Sequence, residues 1–187
     1  MNTLKLFPRL VMIIGVIFIV AGVVAAGSGV FIQSFVVDQL ASQNITTPDD
    51  ASIPNAPVND LATALSMANI IQHHAASAGG GLTYAEMGRF AVADGDPAGT
   101  NNADEALLTE AGTPVANPAR NTQLTAAGLV TSLSLSAMAI GLSYLVIALG
   151  VGFAVLGLVI AGLGYALLGL ITPEVAKRFG LQPVAAR

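Results

Sequence analysis

The sequence predicts an all-α membrane protein: a two-helix transmembrane hairpin carrying a small, partly helical extracytoplasmic loop domain. Three observations predict it. Two long apolar blocks near the ends of the chain are free of charge. The ten acidic residues between Asp38 and Glu110 all lie between those blocks. Five of the seven basic residues, Lys5, Arg9, Lys177, Arg178 and Arg187, lie outside them. The 187 residues are 54% hydrophobic and only 10% charged, where a soluble domain carries about 25% charged residues.

The first block is assigned as transmembrane helix 1, residues 10–31, after a cytoplasmic N-terminus at 1–9. Leu10 through Phe31 contains no charge and is long enough for a crossing of ~20 residues. Lipid offers no water to an unpaired amide, so the stretch must be helical. A cleaved signal peptide is the rival reading, with Lys5 and Arg9 as its charged start and Val24-Ala25-Ala26 as a small-residue cleavage site. The apolar run is long for a signal core.

The second block, residues 124–172, is read as a long helix containing transmembrane helix 2. It exceeds one crossing. It is either a single helix whose Ser-rich start, Thr131 to Ser136, projects beyond the bilayer, or two crossings with a break near Ser143 or Gly150. Cytoplasmic flanks favour Lys and Arg. The basic residues therefore place both termini in the cytoplasm, with residues 173–187 as the second tail. Two ends on one side require an even number of crossings. No Pro, Asn or Asp interrupts the chain between Asn121 and Pro173, and Pro173 is expected to end the helix.

Small residues recur every seven positions in both blocks: Gly15, Gly22 and Gly29 in the first, and Ser136, Ser143, Gly150, Gly157 and Gly164 in the second. Positions seven apart share a helical face, drifting ~20° per heptad. Helices in lipid associate through close van der Waals contact, which small residues permit. The stripes predict an antiparallel, left-handed pair, or a contact between copies of the chain. Further glycines at Gly141, Gly152, Gly162 and Gly169 blur the pattern.

The intervening segment, 32–123, is an acidic extracytoplasmic loop. Residues 46–57 hold three prolines and read as an irregular linker. Asp60 is suited to cap a helix over 61–78, with Leu61, Leu65, Met67, Ile70 and Ile71 on its apolar face and Gly79-Gly80-Gly81 ending it. Thr83-Tyr84-Ala85-Glu86 has capping-box spacing and predicts a second short helix over 84–92. Asp94 through Asn121 reads as mobile.

Lys5-Leu6-Phe7-Pro8-Arg9, Ile70-Ile71, His74-Ala75, Gly80-Gly81 and Thr83-Tyr84-Ala85-Glu86 resemble a family of small actinobacterial two-span membrane proteins of unknown function. The resemblance covers the first 86 residues and, more loosely, the second span; residues 87–120 enlarge the loop. It implies two spans and an extracytoplasmic loop. Members often carry an automatic label as an aromatic ring-opening dioxygenase. The label fails on chemistry: such iron sites use two His and a carboxylate. The histidines here, His73 and His74, are neighbours ~100° apart on a helix and cannot easily bind one ion together.

No catalytic, cofactor-binding or conventional metal-ligand set is found. The absence of cysteine removes disulfides, thiolate nucleophiles and sulfur-bound metals. His73 and His74 are candidate proton sensors, or one packs beneath its helix while the other is solvated. Asp94, Asp96, Gly99, Asn102 and Glu105 occupy positions one, three, six, nine and twelve of a calcium loop. Ala98, Pro97 and Asn101 depart from that pattern, so Asp94, Asp96, Asn102 and Glu105 form a partial calcium candidate. Asn44-Ile45-Thr46 is a glycosylation sequon. No intramembrane charge marks an ion pathway, and no basic patch suits nucleic acid.

The function expected is therefore non-enzymatic: an accessory or assembly subunit of a larger respiratory or envelope membrane complex. Its partners are lipid, other membrane subunits or a second copy. The alternative is a membrane-anchored sensor whose loop binds calcium, protons or a ligand.

Overall fold

Among the described residues of the computed structural model, the elements run α1 (Thr3–Ser42), α2 (Leu61–Ala78), a 3-10 turn at Ala103–Glu105 and α3 (Pro118–Ile171). The structure describes residues 3–171 and 177–178. Pro173, Glu174 and Arg187 lie outside the described residues. Lys177 and Arg178 are exposed.

Two of these helices are long and apolar enough to cross a membrane, over Leu6–Ser42 and Pro118–Leu170. In the most apolar window of each, only 11% of residues are buried. A core helix of a soluble protein buries most of such a window. At ~1.5 Å per residue, α1 is about 60 Å long and α3 about 81 Å. α3 is continuous from Pro118 to Ile171, with no break at Ser143 or Gly150. The helices extend beyond the spans read from hydropathy, α1 by eleven residues past Phe31 and α3 by six before Leu124. Asn117 and Pro118 explain the earlier start of α3. Asn is a favoured N-cap, and Pro at the first helical position gives up an amide that has no partner there. The Asn117 Oδ1 accepts from the amide of Ala119 at 3.0 Å.

Packing divides the chain into two units: Met1–Ser34 with Leu142–Arg187, and Phe35–Gly141. In the first, the outward side chains are large and apolar. Ile13, Ile17, Val20, Val24, Leu158 and Val159 are all more than half exposed. Phe18 and Phe153 meet edge to face at 5.8 Å.

The second unit is built around a core of Leu40, Val58, Ala64, Ala68, Leu133, Ala137 and Ile140. α2 covers the residues expected to be helical. The Asp60 carboxylate accepts from the Thr63 amide at 2.7 Å, and the Thr63 hydroxyl oxygen accepts from the Asp60 amide at 3.2 Å. At its other end, the Gly81 amide donates to Ala76 and the Gly80 amide to Ser77, with Gly80 at φ +63°. This is a Schellman stop, which favours glycine.

Residues 46–57 lack regular structure but are tied down. The buried Thr47 hydroxyl donates to the Ile53 carbonyl at 2.5 Å and accepts from the Ala56 amide at 3.0 Å. Ser66 of α2 accepts from the Ser52 hydroxyl and the Ile53 amide.

The helix expected over 84–92 does not form. Glu86 does accept from the Thr83 amide at 2.8 Å and from its hydroxyl at 2.7 Å, but these bonds close only a turn. The chain beyond it pairs non-locally: Phe90 exchanges both backbone bonds with Thr100 at 2.9 Å, and Ala91 donates to Val115. Gly88 lies directly against the Thr100 backbone, where a Cβ would collide. The segment from Asp94, read as mobile, is held by such bridges, by turns and by Asn117.

Candidate functional site

Six glycines and one serine define the closest approach of α1 to α3 within the first unit. A Cβ at Gly15 would lie 2.7 Å from the Gly157 carbonyl oxygen, and one at Gly22 would lie 2.5 Å from the Ala154 amide nitrogen. One at Gly29 would lie 3.0 Å from the Ser143 carbonyl oxygen. From the other side, a Cβ at Gly150 would lie 2.7 Å from Gly22 oxygen, one at Gly157 2.6 Å from Gly15 oxygen, and one at Gly164 2.9 Å from Pro8 oxygen. The numbers rise on one helix as they fall on the other, so the helices run antiparallel here. Each pair is offset by seven from the last. At Gly15, Gly22, Gly150, Gly157 and Gly164 backbone atoms lie within 3 Å of the added Cβ, a clash no rotamer change relieves, whereas at Gly29 the nearest atom is the Ile147 side chain at 2.7 Å. By contrast, Gly27, Gly152 and Gly162 have open space beside them. The heptad glycines are thus distinct from the scattered ones.

His73 and His74 are both exposed, so neither packs beneath α2 as one reading had it. The His74 Nε2 lies 2.7 Å from the Asp50 Oδ2. The His74 hydrogen bond, the largest cause, holds the Asp50 carboxyl below its ordinary range. The pair links residues 46–57 to α2. Exposed pairs of this kind contribute little.

The four calcium-candidate residues are engaged locally. Asp94 Oδ1 accepts from the Asp96 amide at 3.1 Å, and Asp96 Oδ1 accepts from the Ala98 amide at 2.9 Å. Glu105 accepts from the Thr100 hydroxyl at 3.0 Å and from the Asn102 side chain at 3.1 Å. Asn102 Oδ1 caps the 3-10 turn by accepting from the Asp104 amide. Asx turns of this type need no ion. Among the described residues, no three His, Asp or Glu side chains gather closely enough to hold a metal ion.

No family model, curated protein or solved structure matches the chain. Its site must therefore be read from its own geometry.

Two residues that sequence reasoning passed over organise the loop. Asn117, 2% exposed, caps α3 with its oxygen while its nitrogen donates to the carbonyls of Gly88 at 3.1 Å and Pro97 at 3.0 Å. Gly99, at φ +60°, leaves no room for a Cβ beside the Asn117 amide. Gln123 donates to Ala75 at 2.9 Å and Leu82 at 3.2 Å, fastening the end of α2 to α3. The Arg120 guanidinium stacks 4.0 Å above the Tyr84 ring. The Asn-Pro dipeptide was the available signal for the first of these.

Two clefts of about 380 and 520 Å³ lie along α2 and α3, the smaller also walled by Gln39 and Leu40 of α1 and by Gln43. They share Ile71 and Leu129 as walls. One ends among Leu40, Met67 and Leu133; the other ends at His74, Asn121 and Thr125.

Proposed function

We propose that the chain is a two-crossing integral membrane protein, a transmembrane hairpin with both termini cytoplasmic and an extracytoplasmic loop domain, acting without catalysis as an accessory or assembly subunit. The observation that carries the reading is the inversion in the first unit: large apolar side chains point outward while the close-packed contact is made of glycine. A water-soluble pair would bury the former. In lipid the outward chains cost nothing, and small residues supply the helix contact. The parts of the two candidate spans that lie in this unit, 6–34 and 142–170, each extend about 43 Å at ~1.5 Å per residue. That matches a bilayer of ~40–45 Å including its headgroups.

Several features favour a binding role over a chemical one. Neither apolar helix carries a charge between Leu10 and Val37 or between Leu124 and Ile171, where a proton or ion path would need one. The loop unit carries ten carboxylates against two guanidiniums, a field that disfavours anionic partners. The resemblance to the small actinobacterial family remains part of this proposal. Its dioxygenase label does not, because His73 and His74 offer no facial triad.

Co-purification in mild detergent tests the reading. A stoichiometric membrane-protein partner, retained through two orthogonal columns, is the expected result. Recovery of the chain alone, in every detergent that keeps it folded, rejects the subunit role.

A further inference from the structure

We propose that α3 pairs in parallel with α3 of a second copy of the chain, along a row of leucines on its outward face. The proposal rests on the two-crossing reading above. Leu135, Leu142, Leu149, Leu156, Leu163 and Leu170 recur every seven residues, and all are exposed. The first five each stand immediately before a residue of the small-residue heptad that runs from Ser136 to Gly164. One residue is a turn of ~100° about the helix, so the row lies off the contact with α1. Three positions after the first four leucines come Met138, Leu145, Gly152 and Val159, ~160° from that heptad. Met138, Leu145 and Val159 are exposed, and Gly152 has open space beside it.

Period and length together select what covers this face. Acyl chains are fluid and impose no period on the residues that meet them. Apolar residues at spacings of three and four, sustained over several heptads, are the pattern of a helix packed on a helix. The row is also too long for lipid. From Leu135 to Leu170 it runs about 52 Å at ~1.5 Å per residue, against a hydrocarbon core of ~30 Å. Leu135 and Met138 stand beyond the segment 142–170 matched to the bilayer. The occupant that fits is a helix as long, with the same period. α1 does not qualify: its large exposed apolar side chains stop at Phe35, and Asp38 follows. α3 of a second copy, inserted with the same topology, does. In a parallel pair identical positions come level, so leucine meets leucine along the whole row. A strip ~52 Å long and ~10 Å wide covers about 520 Å² of each copy, and the two together reach the ~1,000 Å² that a specific interface needs.

The chain has no cysteine, so single cysteines report the contact in the full chain. Leu142→Cys, Leu149→Cys, Leu156→Cys and Leu163→Cys are reconstituted separately, at low protein density, in phosphatidylcholine vesicles and oxidised with copper phenanthroline. Each is expected to give a disulfide-linked species of twice 18.9 kDa. Val151→Cys and Leu158→Cys, exposed positions off the row, should link only weakly. Adding Leu149→Ala and Leu156→Ala to the Leu163→Cys chain should lower its linking about tenfold, ~1.4 kcal/mol of association. Adding Val151→Ala and Leu158→Ala instead should leave it unchanged. Equal linking on and off the row overturns the proposal, as does none at any position in vesicles that hold the chain. Linking at one leucine alone marks an antiparallel crossing and overturns the parallel pair. Flotation separates this from failure of the two-crossing reading. A chain that does not float with the vesicles fails that reading, and one that floats without linking fails only the pair.

Discussion

At the scale of single residues, hydrogen-bonding positions in the loop unit carry more than its charges do. Asp60 caps α2 from both sides of the bond, so Asp60→Ala should cost about 1 kcal/mol, the usual effect of removing an N-cap. Thermal unfolding of the detergent-solubilised chain measures it. The Thr63 amide, the largest cause, holds the Asp60 carboxyl below its ordinary range. Its folded pKa lies under its unfolded one. The stabilisation is therefore complete above the unfolded value, near pH 4, and is lost as pH falls through the lowered folded value. Asp60→Ser keeps a capping oxygen but does not titrate, and should flatten that acid limb in a pH-melting series. Asn117 is the other decisive residue. Asn117→Ala removes the α3 cap and leaves two carbonyls without their donor, an expected loss of about 1–3 kcal/mol that differential scanning calorimetry would register. The cap of α2 was legible in the sequence because every partner lies within three residues. The role of Asn117 was not, because Gly88 and Pro97 reach it across 29 and 20 residues.

At the scale of elements, the same contrast separates helices that were readable from one that was not. α2 has a local start, a 3.6-residue apolar period and a glycine stop, all agreeing. The capping-box motif at Thr83–Glu86 also makes its local bonds, yet the chain leaves the helical path at Gly88, whose closeness to Thr100 no nearby residue announces. The heptad of glycines was visible as a period, and the structure gives it a register: Gly15 with Gly157, Gly22 with Gly150, Gly29 with Ser143. Gly157→Leu therefore forces a side chain into the Gly15 carbonyl and the Ile19 backbone. Overpacking of this kind costs about 1–3 kcal/mol or more. Gly152→Leu, which points into open space, is the control. The measurement is helix pairing in detergent, followed by resistance to unfolding in a graded denaturing-detergent series. The first variant should fail early and the second should match the unmodified chain. Equal behaviour of the two would remove the seam as the source of pairing. The clefts along α2 and α3 had no sequence signature, since their walls come from three helices far apart in the chain.

At the scale of the whole molecule, the charge segregation and the two apolar helices are what motivate the proposed topology. Lys5, Arg9, Lys177, Arg178 and Arg187 lie at the outer ends of the two apolar blocks, and ten of the eleven carboxylates lie between those blocks. Removing that asymmetry should remove the orientation: replacing Lys5 and Arg9 together by Glu is expected to produce a mixed or inverted population, because Lys and Arg near a span set its side. Paired fusions to a reporter active in the cytoplasm and one active outside, at Met1, within the loop near Gly112, and at Arg187, test the topology directly. Both ends should report cytoplasm and the loop should report the exterior. Opposite locations for the two ends, or a chain that fractionates with soluble protein after removal of detergent, would contradict the two-crossing account.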